Sequence, residues 1–204
     1  MSSAIEGFGG TRVKKIPFDD IKIDQRELAA RLGGEASDMP TIVYGKLKES
    51  VSACYSLMLL PLTLLDEAVI INERRIESRS LARAFLGCDR VLLLAATLGF
   101  SLDRLISRLG PESVSEQFYA DSLADALIEG VCDYAMDEAR LCGLGPKNRF
   151  SPGYGDLPLS LGEWIVRLLG ADRTLGIRYT ESGLALPKKT VTAFVGVLRA
   201  ESNN

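Results

Sequence analysis

The chain contains 204 residues, of which 47% are hydrophobic and 25% charged, and it carries a formal net charge of −3. These values are typical of one globular domain, and the acidic balance argues against a nucleic-acid partner, because neutralising phosphates requires a basic surface. The sequence contains no histidine, which excludes catalytic triads that use histidine as the base.

The sequence also indicates the cellular compartment in which the protein is expected. Its longest apolar runs, such as residues 91–96, are far shorter than the roughly 20 residues that a helix needs to cross a bilayer. The first residues lack the basic start and apolar stretch of a secretory signal, so we expect a cytoplasmic protein without a membrane partner. None of the cysteines has CxxC spacing, and we predict reduced, mostly buried thiols and no metal site: Cys54, Cys88, Cys132 and Cys142.

The N-terminal residues predict a flexible start followed by a helix. Residues 1–11 are small and rich in glycine, and residues 12–204 are expected to form a single domain. Asp24 is a suitable N-cap for a short helix, and Gly33-Gly34 provides its C-terminal stop. A second helix is predicted from Thr41 to about Ser56, on the spacing of its apolar residues.

The next segment predicts strands and then a short helix. Pro61 interrupts an apolar stretch that continues on both sides of Asp66-Glu67, which indicates a strand, a turn and a second strand. Ser78 is a candidate N-cap for a helix that should end near Gly87. The leucine-rich run from Arg90 to Thr97 is predicted to be a buried central strand.

Two helices are predicted in the middle of the chain. The first runs from Ser101 to Leu109 and should be ended by Gly110-Pro111. The second is one long amphipathic helix from Glu112 to about Cys142, with apolar residues at helical spacing on one face. The C-terminal part predicts a loop over residues 143–158, a helix over Leu161–Leu169, and strands at 176–179 and 191–195. Together these elements indicate an α+β fold, a mostly antiparallel sheet flanked by helices.

An acidic row follows the other side of the long helix. Its members recur every four residues and have no basic neighbour at i+4 within the row, so each like-charged pair costs about 0.2–0.5 kcal/mol. The row is either a solvated face or, in part, a surface that meets a cation. It consists of Asp121, Asp125, Glu129, Asp133 and Asp137.

The predicted loop contains an arginine, a Pro-Gly pair and a tyrosine. Pro152 stiffens the chain and Gly153 allows a ligand to approach the backbone closely. Arg149 can hold a carboxylate through two hydrogen bonds, and the ring of Tyr154 can face a cation such as a sulfonium. The alternative is an ordinary Pro-Gly turn beside an arginine that pairs with a surface acid.

These residues and their flanks carry a resemblance to a known family. The motif R-x-x-P-G-Y at residues 149–154 resembles the S-adenosylmethionine-binding loop of the activation domain of cobalamin-dependent methionine synthase. The segment L-A-D-A-L-I-E at 123–129 is similar to the family's long helix. The segment Y-T-E-S at 179–182, followed by Leu186-Pro187 and Thr190-Val191, resembles the family's C-terminal motifs. The matches occur in the family's order and cover roughly residues 90–198.

The resemblance implies a site and a fold of the activation-domain type. S-adenosylmethionine would be held by Arg149, Ser151, Pro152, Gly153 and Tyr154, with no catalytic residue and no metal ligand supplied by the chain. Two acids of the long helix would border a cleft that faces cobalamin: Asp125 and Glu129. The chain departs from the family after the tyrosine, where P-x-C-P-D-H is replaced by Gly155-Asp156-Leu157-Pro158.

The function that the resemblance implies is reductive reactivation of a cobalamin cofactor. The chain would be a stand-alone accessory protein that presents S-adenosylmethionine to the cobalamin module of methionine synthase or another corrinoid protein. Cobalamin would be carried by the partner, because the chain has no histidine to serve as the lower cobalt ligand. A flavodoxin- or ferredoxin-type protein would donate the electron. Such a chain is at most part of a methyltransferase, so whether it is an enzyme stays open.

The accessory role has two rival functions. An ordinary S-adenosylmethionine methyltransferase would require a strand, a glycine-rich turn and a helix in parallel alternation, and the sequence does not contain this pattern. An interaction protein could use the same fold to dock a corrinoid protein without binding S-adenosylmethionine. Titration with S-adenosylmethionine distinguishes this docking protein from the accessory protein.

Overall fold

The computed structural model describes residues 10–32 and 41–198, except for the side chains of Glu27 and Thr41. The predicted flexible start at residues 1–11 therefore lies outside the described residues, apart from Gly10 and Thr11. The predicted helix stop at Gly33-Gly34 lies outside them as well. Within the described residues, no helix is both long enough and apolar enough to cross a membrane.

Strands and helices alternate irregularly along the chain. The strands are β1 (Arg12–Lys15), β2 (Cys54–Leu64), β3 (Ala68–Ile71), β4 (Arg74–Glu77), β5 (Cys88–Thr97), β6 (Pro146–Phe150), β7 (Arg178–Tyr179), β8 (Ala185–Leu186) and β9 (Thr190–Leu198). The helices are α1 (Gln25–Arg31), α2 (Thr41–Ser50), α3 (Arg79–Ala84), α4 (Phe100–Glu112), α5 (Val114–Leu141), α6 (Leu161–Leu169) and α7 (Ala171–Thr174), with a 3-10 turn at Phe18–Asp20.

The main sheet has seven strands in the order β4-β3-β2-β5-β9-β6, and β1 also pairs with β2. Every pairing in it is antiparallel, and β7 and β8 form a separate antiparallel hairpin. The predicted α+β class, with a mostly antiparallel sheet flanked by helices that include one long helix, is confirmed.

Helices cover both faces of the sheet. Successive side chains of a strand point to opposite faces, and in β5 Leu92 and Leu94 enter one hydrophobic cluster while Leu93 and Ala95 enter the other. The first cluster contains α2, α4 and α5, and the second contains α3 and α6. Because residues 91–96 of β5 are buried on both faces, that stretch is apolar throughout, and the prediction of a central strand is confirmed.

The strand β2 passes through Pro61 without a break. On the edge of β2 opposite β5, β1 pairs as far as Leu57 and β3 pairs from Leu62 onward. Pro61 lies between these two pairings, where no strand of residues 10–32 or 41–198 pairs with that edge and a missing amide costs little. The predicted turn at Asp66-Glu67 and the strand after it are confirmed, as is the Ser78 cap, whose hydroxyl accepts from the Leu81 amide at 3.1 Å.

Two predicted helix ends are wrong. Helix α2 ends at Ser50 instead of Ser56, because Cys54–Leu57 pair with strands on both sides and this tertiary pairing overrides the helical spacing. Gly110-Pro111 does not end α4, which continues to Glu112. There the Gln117 side chain lies so close that a Cβ on Gly110 would be 2.9 Å from its amide group, and it donates to the carbonyl of Ile106 at 3.3 Å.

Gly130 is the point at which the N-terminal segment crosses the long helix. A Cβ atom there would overlap the carbonyl oxygen of Lys22 and lie 2.8 Å from Cγ2 of Ile21. Although alanine is the better helix former, we expect Gly130→Ala to lower the free energy of unfolding by about 1–3 kcal/mol. Gly45→Ala is the matched control in α2, where a Cβ has nothing within 4 Å, and it should stabilise by up to about 1 kcal/mol. Urea unfolding measures both, and stabilisation by both variants would contradict the close crossing.

Candidate functional site

A cavity of about 630 Å³ opens beside the long helix. It lies between α5, the end of β6 with the loop after it, the β7–β8 hairpin and the start of β9. Charged, hydroxyl and apolar side chains share its wall. The lining residues are Glu129, Arg149, Ser151, Pro152, Tyr154, Leu159, Tyr179, Gly183, Leu184, Ala185, Lys188, Thr190, Val191 and Thr192.

The structure brings most of the predicted site residues to this cavity. Of the predicted ligand-binding residues, Arg149, Ser151, Pro152 and Tyr154 line it, and so does Glu129. Gly153 does not line it. Instead Gly153 turns the loop with a φ of 94°, and a Cβ there would lie 3.3 Å from Leu159. The roles predicted for these residues remain predictions, and the geometry establishes only that those lining the cavity surround one space.

Asp125 is not among the residues that line the cavity. It lies one helical turn before Glu129, and its carboxylate contacts Lys189 at 2.5 Å and Arg31 at 3.4 Å. The two acids that the sequence groups together therefore have different surroundings. Glu129 faces the cavity and pairs with Arg149, whereas Asp125 takes part in ion pairs beside it.

Arg149 lies on a strand and not in a loop. The predicted loop over residues 143–158 contains β6, which pairs with the edge of β9 and places Arg149 opposite Val195. The prediction is wrong here because the residues of β6 are mostly polar, lie at the edge of the sheet and show no alternating apolar pattern. A register shift between Pro146 and Arg149 also interrupts the regular pairing, so the sequence of β6 lacks the pattern of a regular strand. Backbone pairing fixes the base of the Arg149 side chain.

The guanidinium of Arg149 is only partly matched by carboxylates. Its Nη2 atom lies 2.6 Å from Oε2 of Glu129 and 3.4 Å from Oδ1 of Asp133. Its Nη1 atom is buried and has no hydrogen-bond partner among the residues that the structure describes. A buried donor without an acceptor is costly. The site therefore contains a charged donor that a bound acceptor, such as a carboxylate, would satisfy once the guanidinium turns Nη1 toward the cavity.

The acidic row of the long helix meets cations that the chain itself supplies. Lys189 contacts Asp121 at 2.9 Å as well as Asp125, and its side chain is only 12% exposed. Arg149 contacts Glu129 and Asp133, and Arg140 pairs with Asp137 at 2.7 Å. The row is thus not a simple solvated face. Its cations are distant in sequence or lie outside the i+4 positions, so spacing along the helix could not reveal them.

Sequence reasoning missed several residues of the far wall. Tyr179 and Thr192 lie there, and their hydroxyl oxygens are 3.2 Å apart. Burial raises the pKa of Tyr179, so its hydroxyl stays protonated near neutral pH. Gly162 of α6 packs so closely against the Tyr179 hydroxyl that a Cβ would overlap it. Tyr179 is the first residue of the Y-T-E-S segment, and this position was the available signal for its place at the cavity.

The loop after β6 is anchored to the start of α3. The carboxylate of Asp156 accepts hydrogen bonds from the Ser78 hydroxyl at 2.5 Å and from the backbone amides of Arg79 and Ser80 at 2.8 and 3.2 Å. These donors hold the pKa of Asp156 at about 2, below its usual 3.8, and the Ser78 hydroxyl has the largest effect. The carboxylate is therefore fully ionised at neutral pH.

This lowered pKa predicts how stability depends on pH. A carboxyl group whose pKa falls on folding stabilises the fold above its unfolded pKa, here 3.8, and loses that contribution as the pH falls through about 2. We expect Asp156→Asn to lower the Tm at pH 7 and the difference from the wild type to shrink between pH 4 and pH 2. Thermal unfolding followed by circular dichroism measures both. A difference that is constant over this range would show that the charge of Asp156 does not contribute.

The comparisons with known proteins agree with this fold. No protein-family model matches the sequence, and no curated protein sequence matches it. A solved structure, "Crystal Structure of the MetH Reactivation Domain bound to AdoHcy", superposes with a TM-score of 0.70. The match covers 96% of this chain and 80% of that chain at 14% sequence identity. At this identity the likeness shows a shared fold, which agrees with the fold that the sequence motifs imply.

Proposed function

We propose that the chain binds S-adenosylmethionine in the cavity and presents its methyl group to the cobalamin of a partner protein. Reductive methylation would then restore the partner's methylated cofactor. The observation that carries the proposal is the Arg149 guanidinium, which lines the cavity and whose buried Nη1 atom has no hydrogen-bond partner in the described part of the chain. The shared fold with a reactivation domain that is bound to S-adenosylhomocysteine supports it.

The charges at Arg149 and Glu129 suit the amino-acid end of S-adenosylmethionine. That end is a zwitterion, with a carboxylate and an ammonium on one carbon atom. In this proposal the Arg149 guanidinium turns slightly so that Nη1 donates to the carboxylate, and Glu129, which is 40% exposed, accepts from the ammonium. The existing contact between Arg149 and Glu129 holds both groups in place before the ligand arrives, which reduces the ordering cost of binding.

The mouth of the cavity suits the sulfonium and the partner. Tyr154, Leu159 and Leu184 line it and remain 67%, 51% and 63% exposed. An aromatic face attracts a cation, so Tyr154 is placed to contact the sulfonium. Three exposed apolar side chains around one opening also form a surface that a partner could cover. The ligand's methyl group would face outward between them.

In the proposed reaction the chain only has to bind the methyl donor and orient it. S-adenosylmethionine would supply the methyl group and become S-adenosylhomocysteine, and a flavodoxin- or ferredoxin-type donor would supply the electron that the partner's cobalamin needs to take up the methyl group. No proton has to be moved by the chain, which is consistent with a sequence that has no histidine. Positioning two reactants against each other is itself a large catalytic effect. Arg149 and Glu129 would fix one end of the donor, and Tyr154 would orient the other.

Reconstitution with a partner tests this function. The chain is mixed with the cobalamin module of a methionine synthase that lacks its own activation domain, in the cob(II)alamin form, with reduced flavodoxin and S-adenosylmethionine. We expect the absorption spectrum to change to that of methylcobalamin only when the chain is present. If the chain binds the module but the spectrum does not change, the chain is a docking protein and the proposal fails.

A further inference from the structure

The loop between β6 and α6 carries cavity residues but has few anchors in the core. Pro152 and Tyr154 belong to it, and Tyr154 itself is mostly exposed. Within the loop, the Gly153 amide donates to the Leu157 carbonyl at 2.9 Å and the Tyr154 amide to the Ser151 carbonyl at 3.1 Å. Leu157 is buried in the second hydrophobic cluster. This apolar anchor lies on the C-terminal side of Tyr154.

A polar anchor lies directly beside it. Asp156 accepts three hydrogen bonds from the first residues of α3, and one donor is the hydroxyl of Ser78, which is also the N-cap of that helix. Gly155 has a φ of 55°, and a Cβ there would lie 2.7 Å from the Ser80 hydroxyl oxygen. The loop backbone is therefore pressed against the helix start. In each of these contacts, Asp156 and its partner are separated by 76 to 78 positions in the sequence.

We propose that Asp156 is a positioning residue of the cavity: it fixes the loop to α3 and thereby sets the affinity for the ligand. This inference rests on the proposed function for the identity of the ligand. Asp156 does not line the cavity, so it would act through the placement of Tyr154 and Pro152. It belongs to the segment in which the chain departs from the family pattern, and so would be an anchor particular to this chain.

The competing explanation is that Asp156 merely stabilises α3. A carboxylate at a helix N-terminus stabilises the helix whatever it does for the loop. Ser113 offers a matched control, because its hydroxyl caps the long helix α5 by accepting from the Glu116 amide at 3.3 Å and its side chain makes no contact with the loop among the interactions of the described residues. Ser113→Ala removes a cap without touching the cavity. Any effect shared by Ser113→Ala and Asp156→Ala reflects stability alone.

Calorimetry and amide hydrogen exchange test the proposal together, at a temperature where every variant is folded. We expect Asp156→Ala to weaken S-adenosylmethionine binding by about three- to tenfold, because the ligand must then order the loop. The amides of Gly153, Tyr154 and Leu157 should exchange faster in the same variant. Ser113→Ala should lower the Tm with neither effect. Asp156→Asn, which retains one acceptor oxygen, should give intermediate values in both measurements.

The outcomes separate the two proposals. Wild-type affinity and wild-type exchange in Asp156→Ala, with a lowered Tm, would overturn the positioning role. Faster exchange with unchanged affinity would overturn it as well, because the loop would then not control binding. If the wild-type chain fails to bind S-adenosylmethionine, the proposed function fails. Unchanged amide exchange of the loop in Asp156→Ala would separately show that Asp156 does not anchor the loop.

Discussion

Replacing Arg149 with lysine should weaken S-adenosylmethionine binding by about ten- to hundredfold, or about 1.5–3 kcal/mol. The guanidinium can hold Glu129 through Nη2, at 2.6 Å, while Nη1 donates to a ligand carboxylate. A lysine ammonium is a single point charge on a flexible stem and cannot reproduce this fork. It would be drawn to Glu129 and leave the carboxylate of the ligand with a weaker partner. Isothermal calorimetry on both proteins gives the ratio of dissociation constants.

The control for this prediction is decarboxylated S-adenosylmethionine, which lacks only the carboxylate. The wild type and Arg149→Lys should bind this ligand about equally, because the contact that distinguishes them is absent. A penalty of the same size with both ligands would show that Arg149 does not hold the carboxylate. The role assigned to Nη1 would then be wrong, whatever the affinity for the complete ligand.

Reversing the charge of Glu129 should have the other large effect, the loss of measurable binding. Glu129→Lys would place an ammonium beside the Arg149 guanidinium and remove the acceptor proposed for the ligand ammonium. Like charges at this distance repel strongly where solvent access is limited. Asp125→Lys is the matched control, one turn away on the same helix. It breaks the contact with the poorly exposed Lys189, so it should lower the Tm by several degrees and change the affinity little.

Calorimetry and thermal unfolding on the two variants separate ligand binding from folding. If both variants lose affinity equally, the acids act as one electrostatic surface, as the sequence motif implies, and the geometric distinction between them is not functional. If Glu129→Lys binds as the wild type does, Glu129 is not part of the ligand site. An unfolded Glu129→Lys protein would be replaced by Glu129→Gln, which removes the acceptor charge without adding repulsion.

The parts of the fold that the sequence predicted well are those with local signals. The helix Leu161–Leu169 is confirmed at both ends, and the long helix differs from its predicted ends by only one or two residues. Cap residues and apolar periodicity act within a few positions, so they can be read without knowing the partner elements. The strand β5 was found because burial on both faces leaves an uninterrupted apolar run.

The missed elements depend on distant partners. The strand β6 is defined by hydrogen bonds to β9, and the early end of α2 by pairing of Cys54–Leu57 with two other strands. The same holds at the site. Arg149 and Tyr154 were found because they are close together in one motif, whereas Lys189 and Asp156 act across 64 and 78 residues respectively. Neither role follows from the local sequence.

Titration of the wild-type chain with S-adenosylmethionine tests the central claim most directly. We predict saturable binding at one site per chain, competition by S-adenosylhomocysteine, and loss of affinity in Arg149→Lys that disappears with the decarboxylated ligand. Absence of both heat and competition at millimolar S-adenosylmethionine, in a chain shown by circular dichroism to be folded, would contradict it.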